Sequence, residues 1–211
     1  LGTSFMAIAA ARELIQKKNL DPTTLDLVIV STATPDMPVS STAAYVATEL
    51  GATNAFGYDL QGACSGFLYG MSVASAHISS GRYKKVLLIG ADTMSSIIDY
   101  TDRTTCVIFG DGAGAVLFEP NEEGLGLQDE ILRVDGKGRE FLKIEAGGSM
   151  MPTSVETVSA RKHFLHQEGR SVFKFAVSNM TNAIEQLLRQ NDLTKHDIDY
   201  FVAHQANKRI L

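Results

Sequence analysis

The stretch that decides how this chain folds covers residues 55–78 and reads AFGYDLQGACSGFLYGMSVASAHI. Its short apolar run at 56–60 predicts a strand, and the apolar residues that recur every three or four positions over 67–78 predict a helix. Cys64 lies between them, within the sequence Gly-Ala-Cys-Ser-Gly. The pattern therefore places a single thiol on the turn that joins a strand to the first turn of a helix.

This position makes Cys64 a candidate nucleophile. Unpaired backbone N–H groups and the helix dipole stabilise a thiolate at such a turn, so we expect a lowered pKa for Cys64. The alternative is that Cys64 is a small buried apolar residue, which is the usual setting of a free cysteine. Cys106, inside the apolar run 105–109, fits that alternative well.

Composition limits the classes of protein that need to be considered. The 211 residues are 45% hydrophobic and 20% charged, as in a globular protein with one large core or two smaller ones. No apolar run approaches the roughly 20 residues of a membrane span, and the net charge of -5 argues against a nucleic-acid partner. The two cysteines do not predict a disulfide, which favours a cytoplasmic location. The spacing of histidines, cysteines and carboxylates predicts no metal site.

Buried strands and helices alternate around the central stretch. Residues 25–31 and 85–91 are almost continuously apolar, which is typical of strands buried on both faces of a sheet. Helical patterns at 5–15 and 41–50 lie before and after the first of these strands. This alternation predicts an α/β fold with helices on both faces of the sheet.

The next two apolar runs predict a different connection. Residues 106–109 and 115–118 are separated by only five residues, of which three are glycine, so a helical crossover does not fit between them. We therefore expect an antiparallel hairpin and a mixed sheet. A phosphate-binding role for the glycines is disfavoured, because a strand rather than a helix follows them.

A later part of the chain repeats its beginning. The shift that puts Leu14 on Leu187 also puts the strand 28–31 on residues 201–204 without a gap. A helix, an Asn/Asp-Leu break, a short capped turn and an apolar run led by aspartate recur in the same order. We therefore expect a duplicated fold whose second copy continues beyond Leu211.

The duplication predicts three regions along the chain. Residues 1–135 form an N-terminal half that lacks its first strands. Residues 136–168, which are glycine-rich and irregular, form a connector with covering loops. Residues 169–211 begin the C-terminal half.

The repeat also singles out His204. It ends the repeated strand, at the carboxyl edge where open α/β sheets place their ligands, and Cys64 lies at an equivalent edge. A cysteine paired with an imidazole is a typical nucleophilic arrangement. A structural or surface histidine remains the alternative for His204. The histidines without a comparable setting are His77, His163, His166 and His196.

Four motifs resemble the signatures of β-ketoacyl-acyl-carrier-protein synthase III, the initiating condensing enzyme of bacterial type II fatty-acid synthesis. They occur in the family's order over nearly the whole chain, as GACSGF at 62–67, DR at 102–103, FGDGAGA at 109–115 and HQANKRI at 204–210. The resemblance implies the thiolase fold, a duplicated α/β fold with mixed sheets and five layers, α/β/α/β/α, in which the second half is truncated here. The internal repeat agrees with that fold.

The resemblance also implies roles for individual residues. Cys64 would take an acyl group as a thioester, and His204 would be the second catalytic residue. The third, an asparagine, is expected beyond Leu211. The residues implied to contact coenzyme A are Arg103, Phe109, Ala206 and Asn207. Those implied to contact the carrier protein are Lys174, Gln205 and Arg209, while Met37 matches a residue that reaches the acyl pocket of the neighbouring subunit.

The reaction implied is the initiating condensation of fatty-acid synthesis. Cys64 would be acylated by acetyl-CoA or another short acyl-CoA, and malonyl-acyl-carrier protein would then condense with it to give 3-oxoacyl-acyl-carrier protein. Acyl-CoA would be a substrate, no cofactor is implied, and the enzyme would be a homodimer. The alternatives are a related acyltransferase of secondary metabolism, a non-catalytic partner subunit or an inert fragment. We expect these 211 residues alone to be inactive.

Overall fold

A computed structural model of the protein describes residues 1–206, which form two compact units. The first unit comprises residues 1–94 and 110–128, and the second comprises residues 95–109 and the described residues from 129 onward. The elements of the first unit are α1 (Thr3–Lys18), β1 (Leu27–Ser31), α2 (Thr42–Leu50), β2 (Phe56–Leu60), α3 (Gly66–Ser79), β3 (Val86–Asp92) and β4 (Gly112–Phe118). Those of the second are β5 (Leu142–Ile144), α4 (Val155–Ser159), β6 (Leu165–Gln167) and α5 (Gly169–Gln190).

The first unit is built on a four-stranded sheet with the order β2-β1-β3-β4. β1 pairs in parallel with both β2 and β3, and β4 pairs antiparallel with β3. In this register Ser31 lies opposite Leu60 on one side and Gly90 on the other. The predicted α/β fold with a mixed sheet is confirmed.

The core explains why β1 is apolar at almost every position. All five of its residues are buried, because helices cover both faces of the sheet. Val28 and Val30 pack with apolar residues of α1 and α2, whereas Leu27 and Ile29 pack with Ala74 of α3. Alternate side chains thus enter two different clusters, as the period of two in a strand requires.

The predicted hairpin is wrong in its first strand. Residues 106–109 form turns and irregular backbone, and β4 pairs with β3 instead. The cause is Asp102, whose Oδ1 accepts a hydrogen bond from Thr104 N (2.9 Å) and whose carbonyl accepts one from Cys106 N (3.0 Å). These local bonds compete with a strand ladder and stabilise a turn.

In the second unit, residues 136–168 contain more regular structure than their composition indicated. β5 and β6 form a two-stranded antiparallel sheet, and α4 lies between them in the chain. Ser154 caps α4 with a reciprocal pair of bonds to Thr157. α5 follows β6 directly. Over residues 1–206, the structure holds no helix with the length and apolar character that crossing a membrane demands.

The internal repeat is present in the local backbone. α1 ends at Lys18 and α5 ends at Gln190. Asn19 and Asp192, which follow these helices, both take left-handed backbone conformations (φ 48° and 53°). A capped 3-10 turn follows each, at Pro22–Thr24 and at Lys195–Asp197. The two turns are related by the same shift that aligns the helices. The repeat is therefore confirmed as far as the second turn.

Beyond that turn the two copies differ. Residues 27–31 form β1, but residues 201–204 are irregular, so the predicted second strand is wrong. β1 lies between β2 and β3, and its backbone N–H and C=O groups are hydrogen-bonded to those two strands. Residues 201–204 pair with no other strand in the part of the chain that the structure describes. An apolar run forms a strand only where a neighbouring strand supplies hydrogen-bond partners for its backbone N–H and C=O groups.

Candidate active site

Cys64 lies in the middle of a 3-10 turn, Ala63–Ser65, between β2 and α3. Its predicted place in the chain is confirmed. Ala63 has a φ of 46°, a left-handed conformation that residues other than glycine adopt rarely, and Ser65 N donates to Gly62 O (3.1 Å) to close the turn. The turn leaves Cys64 exposed at the carboxyl edge of the sheet.

Two glycines allow this turn to pack tightly. A Cβ atom on Gly66, at the start of α3, would collide with Ser31 Oγ. A Cβ atom on Gly62 would lie 2.7 Å from the ring of Tyr69. Only residues without a side chain therefore let α3 begin so close to the end of β1. This packing determines where the thiol stands relative to the sheet.

The electrostatic surroundings of Cys64 differ from the prediction. Partial withdrawal from water raises the pKa of the Cys64 thiol, and the negative charge of Asp92 raises it further. The backbone N–H of Cys64 acts in the opposite direction but is outweighed. The expected lowering of the pKa is therefore wrong within residues 1–206.

Asp92 is a site residue that the sequence analysis missed. It ends β3, and its Oδ1 accepts hydrogen bonds from Thr32 Oγ1 (3.1 Å), Ala33 N (2.7 Å) and Thr34 Oγ1 (3.1 Å). The available signal was an aspartate that directly follows a buried apolar strand, at the sheet edge where ligands bind.

Buried threonines extend this polar cluster to the first helix. Thr3 Oγ1 donates to Thr34 O (2.5 Å) and lies 2.9 Å from Thr93 Oγ1. Thr93 N donates to Thr34 Oγ1 (2.8 Å). Because these buried hydroxyl groups have hydrogen-bond partners, the cluster adds rigidity at the carboxyl edge of the sheet.

The other residues with implied roles lie mainly in the second unit. Arg103 is exposed on a turn, and Phe109 is half-buried at the end of the same loop. Lys174 is exposed on the second turn of α5. Met37 belongs to the first unit, where it is 57% exposed on the loop after β1.

The histidine motif is only partly covered by the structure. His204, Gln205 and Ala206 are consecutive exposed residues without regular secondary structure. Asn207 and Arg209 lie outside the described residues.

An ion pair anchors the loop that carries Arg103. Arg161 Nη2 lies 2.6 Å from Asp99 Oδ2, and its guanidinium stacks 4.9 Å from the centre of the Phe164 ring. Hydrogen bonds from Arg161 and Thr101 hold the pKa of Asp99 well below its usual range. This pair joins the loop at residues 95–109 to the segment that follows α4.

Among residues 1–206, no group of three or more histidine, cysteine or acidic side chains is arranged to hold a metal ion.

Thiolase-like condensing enzymes have this arrangement, a mixed α/β sheet with a cysteine on a strained turn at its carboxyl edge. Solved structures of this class match the chain. A crystal structure of a 3-oxoacyl-(acyl-carrier-protein) synthase III superposes with a TM-score of 0.93 at 29% identity, covering 99% of this chain and 65% of that one. The priming β-ketosynthase of the R1128 polyketide pathway superposes with a TM-score of 0.88 at 34% identity, covering 99% and 61%.

Sequence comparison narrows this class to one family. Residues 58–136 match the model of the family 3-oxoacyl-[acyl-carrier-protein (ACP)] synthase III. A β-ketoacyl-[acyl-carrier-protein] synthase III from Bacteroides thetaiotaomicron is 54% identical over the whole chain. The chain is similar to members of this family over its whole length, and it spans 63% of the length of that relative.

Proposed function

We propose that the protein catalyses the initiating condensation of fatty-acid synthesis, with Cys64 as the residue that carries the acyl group. The observation that carries the proposal is the position of Cys64, exposed on a strained turn at the sheet edge within the matched residues 58–136. A thiol at such a place is accessible to a thioester substrate. The name of the family describes a synthase that forms 3-oxoacyl-acyl-carrier protein.

In the first half-reaction the Cys64 thiolate attacks the carbonyl carbon of acetyl-CoA or another short acyl-CoA. The bond between that carbon and the coenzyme A sulfur breaks, and the departing thiolate takes up the proton that Cys64 lost. One thioester replaces another of similar energy, so the acyl group stays activated. Because the pKa of Cys64 is raised, attack requires a base that removes the thiol proton first.

In the second half-reaction malonyl-acyl-carrier protein loses carbon dioxide to leave an enolate. The enolate carbon attacks the Cys64 thioester, the carbon–sulfur bond breaks, and Cys64 leaves as a thiolate. His204 donates a hydrogen bond to the enolate oxygen, which stabilises the charge that develops there. The support for this role is the match of residues 204–210 to the family motif.

Further residues of the family motifs would hold the substrates. Arg103, Phe109, Ala206 and Asn207 contact acyl-CoA in this proposal. Lys174, Gln205 and Arg209 meet the carrier protein, whose acidic surface a lysine and an arginine attract. Arg103 and Lys174 are exposed and thus accessible to a large ligand.

The protein would act as a homodimer. β2 is one of the two edge strands of the sheet, and its outer edge pairs with no strand among the described residues. Phe56 on this strand is 44% exposed, and Met37 is exposed on the loop after β1. An unpaired edge with exposed apolar side chains favours association with a second copy.

Intact-mass measurement after incubation with acetyl-CoA tests the first half-reaction. In the complete enzyme, we expect the mass to increase by one acyl group in the wild type and in Cys106→Ser, but not in Cys64→Ala. Cys106→Ser is the matched control because it removes the other thiol. Acylation that persists in Cys64→Ala would refute the proposal.

A second variant tests the role of His204. In the complete enzyme, His204→Ala should reduce the release of carbon dioxide from malonyl-acyl-carrier protein much more than it reduces acylation of Cys64. Equal losses in both half-reactions would contradict the assigned role.

A related acyltransferase of secondary metabolism is the second candidate. The similarity to the R1128 polyketide enzyme supports it, at 34% identity. The 54% identity with the β-ketoacyl-acyl-carrier-protein synthase III from Bacteroides thetaiotaomicron favours fatty-acid synthesis. Assays of several acyl-CoA primers, with and without fatty-acid carrier protein, would separate the two.

A further inference from the structure

Asp92 has a place in the structure that the proposed chemistry does not use. One of its carboxylate oxygens, Oδ1, accepts three hydrogen bonds, from Thr32 Oγ1, Ala33 N and Thr34 Oγ1 at 2.7 to 3.1 Å. All three donors belong to the loop that follows β1. Asp92 therefore ties the end of β3 to the beginning of this loop.

Thr32 extends this connection to the turn that carries Cys64. Its N–H donates to Leu60 O (3.1 Å), and Leu60 is the last residue of β2 before that turn. Its neighbour Ser31, the last residue of β1, lies so close to Gly66 at the start of α3 that a Cβ atom there would collide with Ser31 Oγ. The loop held by Asp92 thus contacts the chain before Cys64, and the end of β1 that precedes this loop packs against the chain after Cys64.

The charge of Asp92 also acts on the thiol. Within residues 1–206 it is the charged side chain that raises the pKa of Cys64. The other titratable side chains on β1, β2, α3 and β3 are Tyr58, Asp59, Tyr69 and His77. Asp59 is engaged elsewhere, because its two oxygens accept hydrogen bonds from Thr42 N and Ala43 N at the start of α2.

We propose that Asp92 is a positioning residue for Cys64, which holds the loop after β1 against the end of β2 and places a negative charge at the sheet edge where the thiol lies. A thiol kept neutral is less open to alkylation and oxidation while no acyl donor is bound. The inference rests on the proposed function, because it takes Cys64 as the nucleophile.

The test is the pH dependence of alkylation by iodoacetamide, followed by intact mass in a Cys106→Ser background so that only Cys64 reacts. Asp92→Asn removes the charge but keeps an Oδ1 acceptor for the three donors. Asp36→Asn is the matched control. Asp36 lies in the same loop, and its Oδ1 accepts a hydrogen bond from Ser4 N (2.9 Å).

Asp92→Asn should move the midpoint of the alkylation profile to lower pH. The rate near neutral pH should rise roughly threefold, because a larger fraction of the thiol is then ionised. The rate at high pH should stay unchanged, because the thiolate itself is the same. Asp36→Asn should leave the midpoint in place, and identical midpoints for the two variants would overturn the proposal.

A second variant covers the case in which Asp92→Asn does not fold. Thr32→Val removes one of the hydrogen-bond donors to the Asp92 carboxylate, so the negative charge of that carboxylate is less neutralised. The midpoint of the alkylation profile of Cys64 should therefore move to higher pH. A midpoint that stays or falls would overturn the proposal.

Alkylation needs no acyl-CoA, so the two proposals fail separately. A shifted midpoint without acylation would refute the proposed function and leave the role of Asp92 intact. Normal acylation with an unshifted midpoint would refute only the role of Asp92.

Discussion

Ala63 takes a left-handed backbone conformation directly before Cys64, and this single residue lets the chain turn sharply between β2 and α3. The turn exposes the thiol but does not favour its ionisation, because partial burial and Asp92 both oppose the negative charge. At the scale of the residue, the accessibility of the Cys64 thiol and its acidity are therefore controlled by different neighbours.

The raised pKa of Cys64 leads to a prediction about pH. The midpoint of iodoacetamide labelling of Cys64 should lie at higher pH in the folded chain than in the chain unfolded in denaturant. The folded state holds this proton more tightly, so its contribution to stability is complete below the ordinary thiol pKa and is lost as pH rises. Peptide mapping after timed labelling gives both midpoints, and a lower midpoint in the folded chain would contradict the prediction.

At the scale of the element, α3 packs on the sheet through positions without side chains. A Cβ atom on Gly70 would collide with Leu88, which is fully buried on β3, and Gly66 meets Ser31 in the same way. Ala74 lies one turn further along the same buried face. The helix that begins beside the candidate nucleophile is thus held close to β1 and β3.

This packing predicts the effect of a larger residue on the buried face of α3. Gly70→Val should lower the free energy of unfolding by about 1–3 kcal/mol, because the added methyl groups overpack a filled site. Ala76→Val introduces the same side chain at an exposed position of the same helix and should cost about 0.5 kcal/mol through helix propensity alone. Chemical denaturation measures both, and equal effects would show that packing against Leu88 is not the cause.

At the scale of the whole molecule, the two units differ in how much apolar surface they bury. Of the buried apolar side chains among residues 1–206, all lie in the first unit except Ile98 and Ala146. Both hydrophobic clusters belong to the sheet of the first unit. Burial of apolar surface is the main stabilising term, so the units should differ in local stability.

Hydrogen exchange tests this difference. Backbone amides of β1 and β3 should exchange slowest, whereas those of α5 should exchange faster by at least an order of magnitude. Mass spectrometry of peptic peptides, referenced to a fully exchanged sample, gives the comparison. Equal protection of β3 and α5 would mean that the described residues open as one cooperative unit.

Local patterns account for the features that the sequence could predict. The alternating burial of residues 27–31, the strand-turn-helix unit around Cys64 and the repeated turn at 195–197 depend on neighbours within a few positions. The four sequence motifs at 62–67, 102–103, 109–115 and 204–210 likewise indicated the resemblance to the family without knowledge of any distant contact.

By itself, then, the sequence determined the α/β class, the place of Cys64 between β2 and α3 and the resemblance to the family. Only the tertiary structure decided that β4 pairs with β3, that residues 201–204 form no strand and that Asp92 raises the pKa of Cys64. Strand pairing depends on which distant backbone supplies hydrogen bonds, and a pKa depends on which distant charges approach. Neither is encoded in the spacing of residues along the chain.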